Sequence, residues 1–274
     1  MVLNHSSVAI GADYFLLFVD CIMLFTRIKS KHGISYQEVT MKEKTVYMMV
    51  FAPHPLDTEM GIGGTVTCRT REGKDIICVV CTNGDKGSSD PNMKPEELAK
   101  IREQEQLAAA KLLGVKEVIF LRHPDLGLED TPEFRKEILR LILEYRPEIV
   151  ATCDPYQRYL SNRDHRIVGR TVLDAVWPYA LAPNTYPDLL KQGFQLHKVK
   201  EVLLWQTEEP NYRCDIGDTY DVKVAALCCH KSQVGDPVEA TFLKELMNFT
   251  TTAARGQNYK YGEAFHRLEV LQRL

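Results

Sequence analysis

The sequence predicts an α/β fold: a mostly parallel sheet with helices on both faces. Three observations lead there. Short apolar runs recur at residues 45–52, 76–82, 118–121 and 149–152, each about as long as a strand. They lack the polar alternation of a strand with one wet face, so both faces are expected to be covered. Between them stand longer segments of helical composition with recognisable start and stop residues, so strand and helix alternate and right-handed parallel crossovers follow.

The first 44 residues stand outside this pattern. Val8 to Phe25 is mostly apolar, but Asp13 and Asp20 interrupt it. A spanning helix needs about 20 predominantly apolar residues, and an acidic residue near its centre costs about 3 kcal/mol. No signal-peptide cleavage site follows. The segment reads as an extra packing helix or an extension without a fold of its own, ahead of a membrane anchor. The expected division is an N-terminal extension, 1–44, and one domain, 45–274.

Thr45 to Ala52 (TVYMMVFA) is a buried strand that stops at Pro53-His54-Pro55. Gly61, Gly63 and Gly64 open a helical segment that ends at Gly73. Ile76 to Thr82 is the second strand, and Asn83-Gly84-Asp85-Lys86-Gly87-Ser88 is a loop by composition. Pro95 to Leu113 is rich in Ala, Leu, Glu, Gln and Lys and is stopped by Gly114, which marks a helix. Val118 to Leu121 is the third strand. Thr131 suits an N-cap with Pro132 at the first helical position, and that helix runs to about Tyr145. Ile149 to Thr152 is the fourth strand; a polar loop follows, and residues 164–180 contain another helix. Val202 to Trp205 is a late strand, with Trp177 and Trp205 expected in the core.

A net charge of −3 with no basic run gives no electrostatic sign of a nucleic-acid partner, and none is expected. Cys78 and Cys81 form a C-x-x-C, but they lie inside an apolar strand and no second pair follows at zinc-ribbon spacing. They read as core thiols. Eight cysteines without an evident pairing pattern point to a reducing, cytoplasmic setting.

In parallel sheets, ligands bind beyond the carboxyl ends of the strands. The loops at 53–64, 82–90, 122–130 and 153–165 are therefore the expected site wall. His54 and Asp57 follow the first strand; Asn162-Arg163-Asp164-His165-Arg166 follows the fourth. Two His and one Asp make a three-ligand set of the kind found around catalytic zinc. Each alone reads more plainly as a hydrogen-bonded loop residue, and it is their shared placement after strands that favours the metal. Gly61-Ile62-Gly63-Gly64-Thr65 lacks G-x-G-x-x-G spacing and reads as close helix packing, not a dinucleotide site.

These motifs have a familiar order. Ala52-Pro53-His54-Pro55-Leu56-Asp57 with Gly61-Ile62-Gly63-Gly64-Thr65 resembles the A-H-P-D-D-E…G-G-T signature of the LmbE-like, or PIG-L, deacetylase family. Thr82 to Ser88 resembles its T-x-G-x-x-G-[ST] loop, and Arg102, Glu105, Ala109 and Leu113-Gly114 resemble its R-x-x-E-x-x-x-A-x-x-x-L-G helix. Asn162 to Arg166 resembles its H-P-D-H-R motif. His230-Lys231-Ser232-Gln233 and Tyr261-Gly262-Glu263-Ala264-Phe265 resemble its H-x-S-Q and Y-G-E-x-F elements, most closely those of the diacetylchitobiose deacetylase branch. The resemblance covers about residues 45–270.

It implies a Rossmann-like α/β fold and a Zn2+-dependent hydrolase that removes the N-acetyl group from a small amino-sugar substrate. His54, Asp57 and His165 match the zinc ligands. Arg102 matches a substrate-binding or supporting position, and Asp164 matches the acidic residue that orients a ligand. Asn162 stands at an oxyanion-donor position, and His230 is the candidate acid. Tyr156 and Tyr159, in the loop before His165, are candidates to stack on a sugar or to act as lids. Two positions depart from the pattern. The family's general-base Asp is Leu56 here, and its oxyanion His is Asn162. Asn still donates a hydrogen bond. Leu accepts no proton, and a general base is worth about 10²–10⁴ in rate. Glu59 and Asp164 are the carboxylates near enough in sequence to replace it. The alternatives are a non-catalytic zinc- and sugar-binding homologue, and a membrane-associated sugar-lipid deacetylase resting on Val8–Phe25. A homo-oligomer is a state the sequence allows.

Overall fold

The computed structural model describes residues 24–30, 33–39, 44–88, 90–159 and 161–270. The chain divides into two units, Met1–Lys42 and Glu43–Leu274. In the first, β1 (Leu24–Ser30) pairs antiparallel with β2 (Gly33–Val39), Leu24 opposite Val39 and Ser30 opposite Gly33. The apolar segment Val8–Phe25 lies outside the described residues except for its last two positions, which belong to β1.

In the second unit the expected alternation is present. β3 (Met48–Ala52), α1 (Asp57–Arg71), β4 (Ile76–Thr82), α2 (Pro95–Leu113), β5 (Glu117–His123), α3 (Pro132–Tyr145), β6 (Ile149–Cys153) and α4 (Arg163–Val176) follow in order. The stop and start signals act as their chemistry suggests. Gly114 ends α2 with φ 76°, and the Thr131 hydroxyl caps α3 by accepting the Phe134 N–H at 3.2 Å. After α4 come α5 (Pro187–Lys191), β7 (Glu201–Trp205), β8 (Tyr212–Asp215), α6 (Tyr220–Leu227), α7 (Lys231–Val234), α8 (Ala240–Ala253) and β9 (Gly262–Glu269).

One sheet of seven strands results, in the order β5-β4-β3-β6-β7-β9-β8. The first five are mutually parallel. β9 enters between β7 and β8 antiparallel to both, so the sheet is mixed at that edge. Successive side chains of a strand point to opposite faces. Met49 and Phe51 therefore join Ile138, Ile142, Val168 and Val172 on one face, while Met48 and Val50 join Ile62, Val66 and Leu113 on the other. That two-sided core explains the unbroken apolar runs. Cys78 and Cys81 are fully buried within it, and so is Trp205. Trp177 differs from expectation: it is 51% exposed. It stands at the C-cap of α4 with extended backbone, past the last turn that faces the sheet.

The glycine-rich start of α1 is a packing device. A Cβ at Gly61 would stand 2.5 Å from the Trp205 ring, and one at Gly64 would stand 2.7 Å from Ile216. The close approach lets a buried carboxylate reach into the helix. Gly64 and Thr65 donate their N–H groups to Glu263 at 2.9 and 2.8 Å. Lys223 Nζ sits 2.6 Å from the same carboxylate and donates to the Met60 carbonyl at 2.7 Å. That carbonyl lies one helical turn before Gly64. Tyr261 to Phe265 thus anchors α1 from the far end of the chain. Among the described residues, no helix is long and apolar enough to cross a membrane.

Candidate metal centre

The strand order reverses at β3. β4 and β5 lie to one side of it, β6 and β7 to the other. Loops leaving β3 and β6 diverge there and open a crevice at their carboxyl ends. The chain breaks out of β3 at Pro53 and turns sharply into α1 through Leu56, whose φ is 89°. This turn folds the Asp57 side chain back onto His54. Asp57 Oδ2 accepts the His54 N–H at 2.8 Å and lies 3.0 Å from His54 Nδ1. From the neighbouring strand, His165 on the first turn of α4 brings Nε2 to 3.2 Å from the same oxygen. The two imidazole rings are 5.3 Å apart. Ligand atoms of His54, Asp57 and His165 all lie within 4.8 Å of one another, close enough to share one cation.

The other nitrogen of His54 faces carboxylates. Nε2 is 3.3 Å from Asp164 Oδ2 and 3.2 Å from Asp125 Oδ1. Asp164 is fully buried. Its Oδ2 also accepts the Leu126 N–H at 2.7 Å, while Oδ1 has no partner among the described residues. An imidazole whose far N–H is held by a carboxylate is the common arrangement behind metal-ligating His.

Charge supports the same assignment. Burial alone lowers the His54 pKa, but hydrogen bonds with Asp125, Asp164 and Asp57 outweigh it and push the pKa up to about 12. Burial likewise opposes protonation of His165, and the Asp57 charge overrides it, to about 10. Burial raises the Asp57 pKa, but the paired imidazoles hold it well below the usual carboxylate range. Three carboxylates around two imidazoles make a site that demands positive charge, and a divalent ion with nitrogen and oxygen ligands fits that demand.

A cleft of about 570 Å³ opens over the cluster. Each of the four loops expected to wall the site contributes to it: His54 and Asp57, Lys86 and Ser88, Asp125 and Leu126, Asn162 and His165. Arg102 reaches it from α2 and clamps the second loop, donating to the carbonyls of Gly84 and Gly87 at 2.5 and 2.9 Å. Asn162 lines it too, with its side-chain oxygen capping α4 through the Asp164 N–H at 2.8 Å.

Other expected site residues lie elsewhere. Tyr156 lines a separate cavity with Arg158, Glu208 and His266, and Tyr159 is 85% exposed; neither is among the residues lining the metal cleft. His230 is fully buried, its Nε2 turned 3.2 Å from Glu59 Oε2, and it does not line the cleft. Glu59 is equally buried and points away from the cleft into that contact. Asp125 is the cleft residue the sequence reading overlooked. Its signal was its place, two residues after β5 in a loop already marked as site wall.

Comparison with known proteins identifies the family. Residues 49–176 match the family model described as PIG-L: GlcNAc-PI de-N-acetylase. A diacetylchitobiose deacetylase of Thermococcus kodakarensis is 33% identical over 239 residues, 87% of this chain and 88% of that protein. A 1D-myo-inositol 2-acetamido-2-deoxy-alpha-D-glucopyranoside deacetylase of a Mycobacterium species is 24% identical, covering 76% and 80% of the two chains. The solved N,N'-diacetylchitobiose deacetylase of Pyrococcus horikoshii, at 28% identity, superposes with a TM-score of 0.79 over 84% of this chain and 88% of its own. With a relative 33% identical over 87% of its length and a matching family model, the chain belongs to the PIG-L, or LmbE-like, family of N-deacetylases.

Proposed function

We propose that this protein is a zinc-dependent hydrolase that removes the acetyl group from an N-acetylglucosamine-type amino sugar, with the ion held by His54, Asp57 and His165. The observation that carries the reading is the convergence of those three ligand atoms within 4.8 Å beneath an open polar cleft. When bound, such an ion polarises an acyl oxygen and lowers the pKa of water.

The chain's own groups supply the rest. Asp164 fixes the His54 ring by accepting at Nε2, leaving Nδ1 as the ligand atom. Asn162 is anchored by its cap, which leaves its amide N–H groups to donate to the oxygen that gains charge on the acetyl carbon. Lys86, Ser88 and Asp125 line the cleft with hydrogen-bonding groups suited to sugar hydroxyls. Water adds to the acetyl carbon, the C–N bond breaks, acetate leaves, and the amine nitrogen gains a proton. Leu56 takes no part in that proton transfer. Of the two carboxylates lining the cleft among the described residues, Asp57 is a ligand. We therefore assign proton acceptance to the Asp125 carboxylate; Glu59 is turned away from the cleft.

The test is metal content together with acetate release from N-acetylglucosamine and diacetylchitobiose. One equivalent of zinc and release that His165→Ala abolishes are expected; a purified chain that binds no divalent ion contradicts the reading. Leu56 favours a second reading, a homologue that binds metal and sugar without turnover. Stoichiometric zinc and saturable sugar binding with no acetate from the wild type would establish it.

A further inference from the structure

Leu56 is the hardest residue of the metal turn to hold in place. It has φ 89° and opens α1 without a side-chain cap. A bulky residue keeps such a backbone only where its surroundings impose it. Here one buried side chain holds the Leu56 N–H. Gln106, fully buried on α2, accepts the Leu56 N–H through Oε1 at 3.0 Å. Its Nε2 donates to Glu59 Oε1 at 2.8 Å. The other Glu59 oxygen faces His230 Nε2 at 3.2 Å. The segment that follows His230 is tied to the same neighbourhood. Ser232 donates its N–H and hydroxyl to Glu105 at 2.7 and 2.6 Å, and Gln233 donates to the Pro55 carbonyl at 3.2 Å.

We propose that Gln106 is a positioning residue for the metal centre. With Glu59 and His230 it forms a buried polar chain that sets how the 54–57 turn presents His54 and Asp57. The inference rests on the metal reading above. None of the three lines the cleft, so each acts through the turn and not on substrate. The position calls for a carboxamide: it must accept at one end and donate at the other. Glu at 106 would set two carboxylates against each other, and Leu would strand the Leu56 N–H and the Glu59 oxygen. Groups behind metal ligands typically change metal affinity by about 10–100-fold.

The test is cobalt(II) titration of the full chain, read by its d–d absorption well below the unfolding midpoint of each variant. Gln106→Leu is expected to weaken cobalt binding by about 10–100-fold and to shift the band. Leu139→Ala, which removes volume from the core on the opposite face of the sheet, is the stability control and is expected to leave both unchanged. Glu59→Gln alone should weaken binding. The exchange Glu59→Gln with Gln106→Glu keeps every donor and acceptor and should recover most of the affinity. Wild-type affinity and spectrum in Gln106→Leu, or an equal loss in Leu139→Ala, overturns the proposal. Should Gln106→Leu fail to fold, equal affinities of Glu59→Gln and the exchange variant overturn it. A wild type that takes up no cobalt removes the metal reading itself, and this inference with it.

Discussion

At position 56, Leu occupies a backbone region that Asp and Asn enter readily and other residues enter at a cost of about 1–2 kcal/mol. Leu56→Asp should therefore fold at least as well as the wild type. It also puts a carboxylate on the turn between His54 and Asp57. Because Asp125 already accepts the proton, the added carboxylate should change wild-type kcat by far less than the factor of about 10² or more that a general base supplies. Asp125→Asn alone should lose that factor and Leu56→Asp should restore most of it; steady-state acetate release decides both, and an Asp125→Asn variant with full activity refutes the assignment. The imidazoles give a second prediction. With no ion bound, His54 and His165 keep their protons up to about 12 and about 10. Their pairing with the carboxylates then stabilises the ion-free fold fully below the ordinary His value and is lost as pH rises through those values. A bound ion must displace both protons, so affinity for zinc should strengthen by about two log units per pH unit near neutrality. Calorimetric titration in buffers of different ionisation enthalpy should count about two protons released; release of none would contradict the ligand set.

At the scale of elements, α1 is held by what its glycines leave room for. Gly61→Ala places a methyl 2.5 Å from the Trp205 ring, and overpacking of this kind costs about 1–3 kcal/mol. A lowered urea midpoint with an unchanged slope is the expected record. Glu263→Ala should cost more, about 3–5 kcal/mol, because it leaves Lys223 buried without its partner. α2 has a double role: Arg102 and Glu105 hold the loops, and Gln106 holds the turn. The R-x-x-E pattern was legible as a helix with Arg102 at a substrate-binding or supporting position, but which loops it brackets was not. A helical repeat tells which residues share a face and not what lies opposite them.

At the scale of the whole second unit, the proposed metal site joins loops from both halves of the parallel sheet. Because the unfolded chain does not assemble that set, ion binding there would be linked to folding. Zinc at about 100 times its dissociation constant should add about 2.7 kcal/mol of stability, and a chelator should lower Tm by the corresponding amount; a Tm indifferent to chelation would argue against an ion at this site. The sequence by itself determined the four strands and the helices between them. It also determined the loops that wall the site and the residue types able to hold a metal. Apolar runs, caps and turn residues act within a few residues of themselves and can be read locally. Only the tertiary structure decided that β3 and β6 are neighbours, which brings His54 and His165 to one point. It also placed Asp125 in the cleft, turned Glu59 and His230 inward, left Trp177 outside and inserted β9 antiparallel. Each of these depends on which distant surfaces pack together and on which way a side chain leaves its backbone, and no local pattern encodes either.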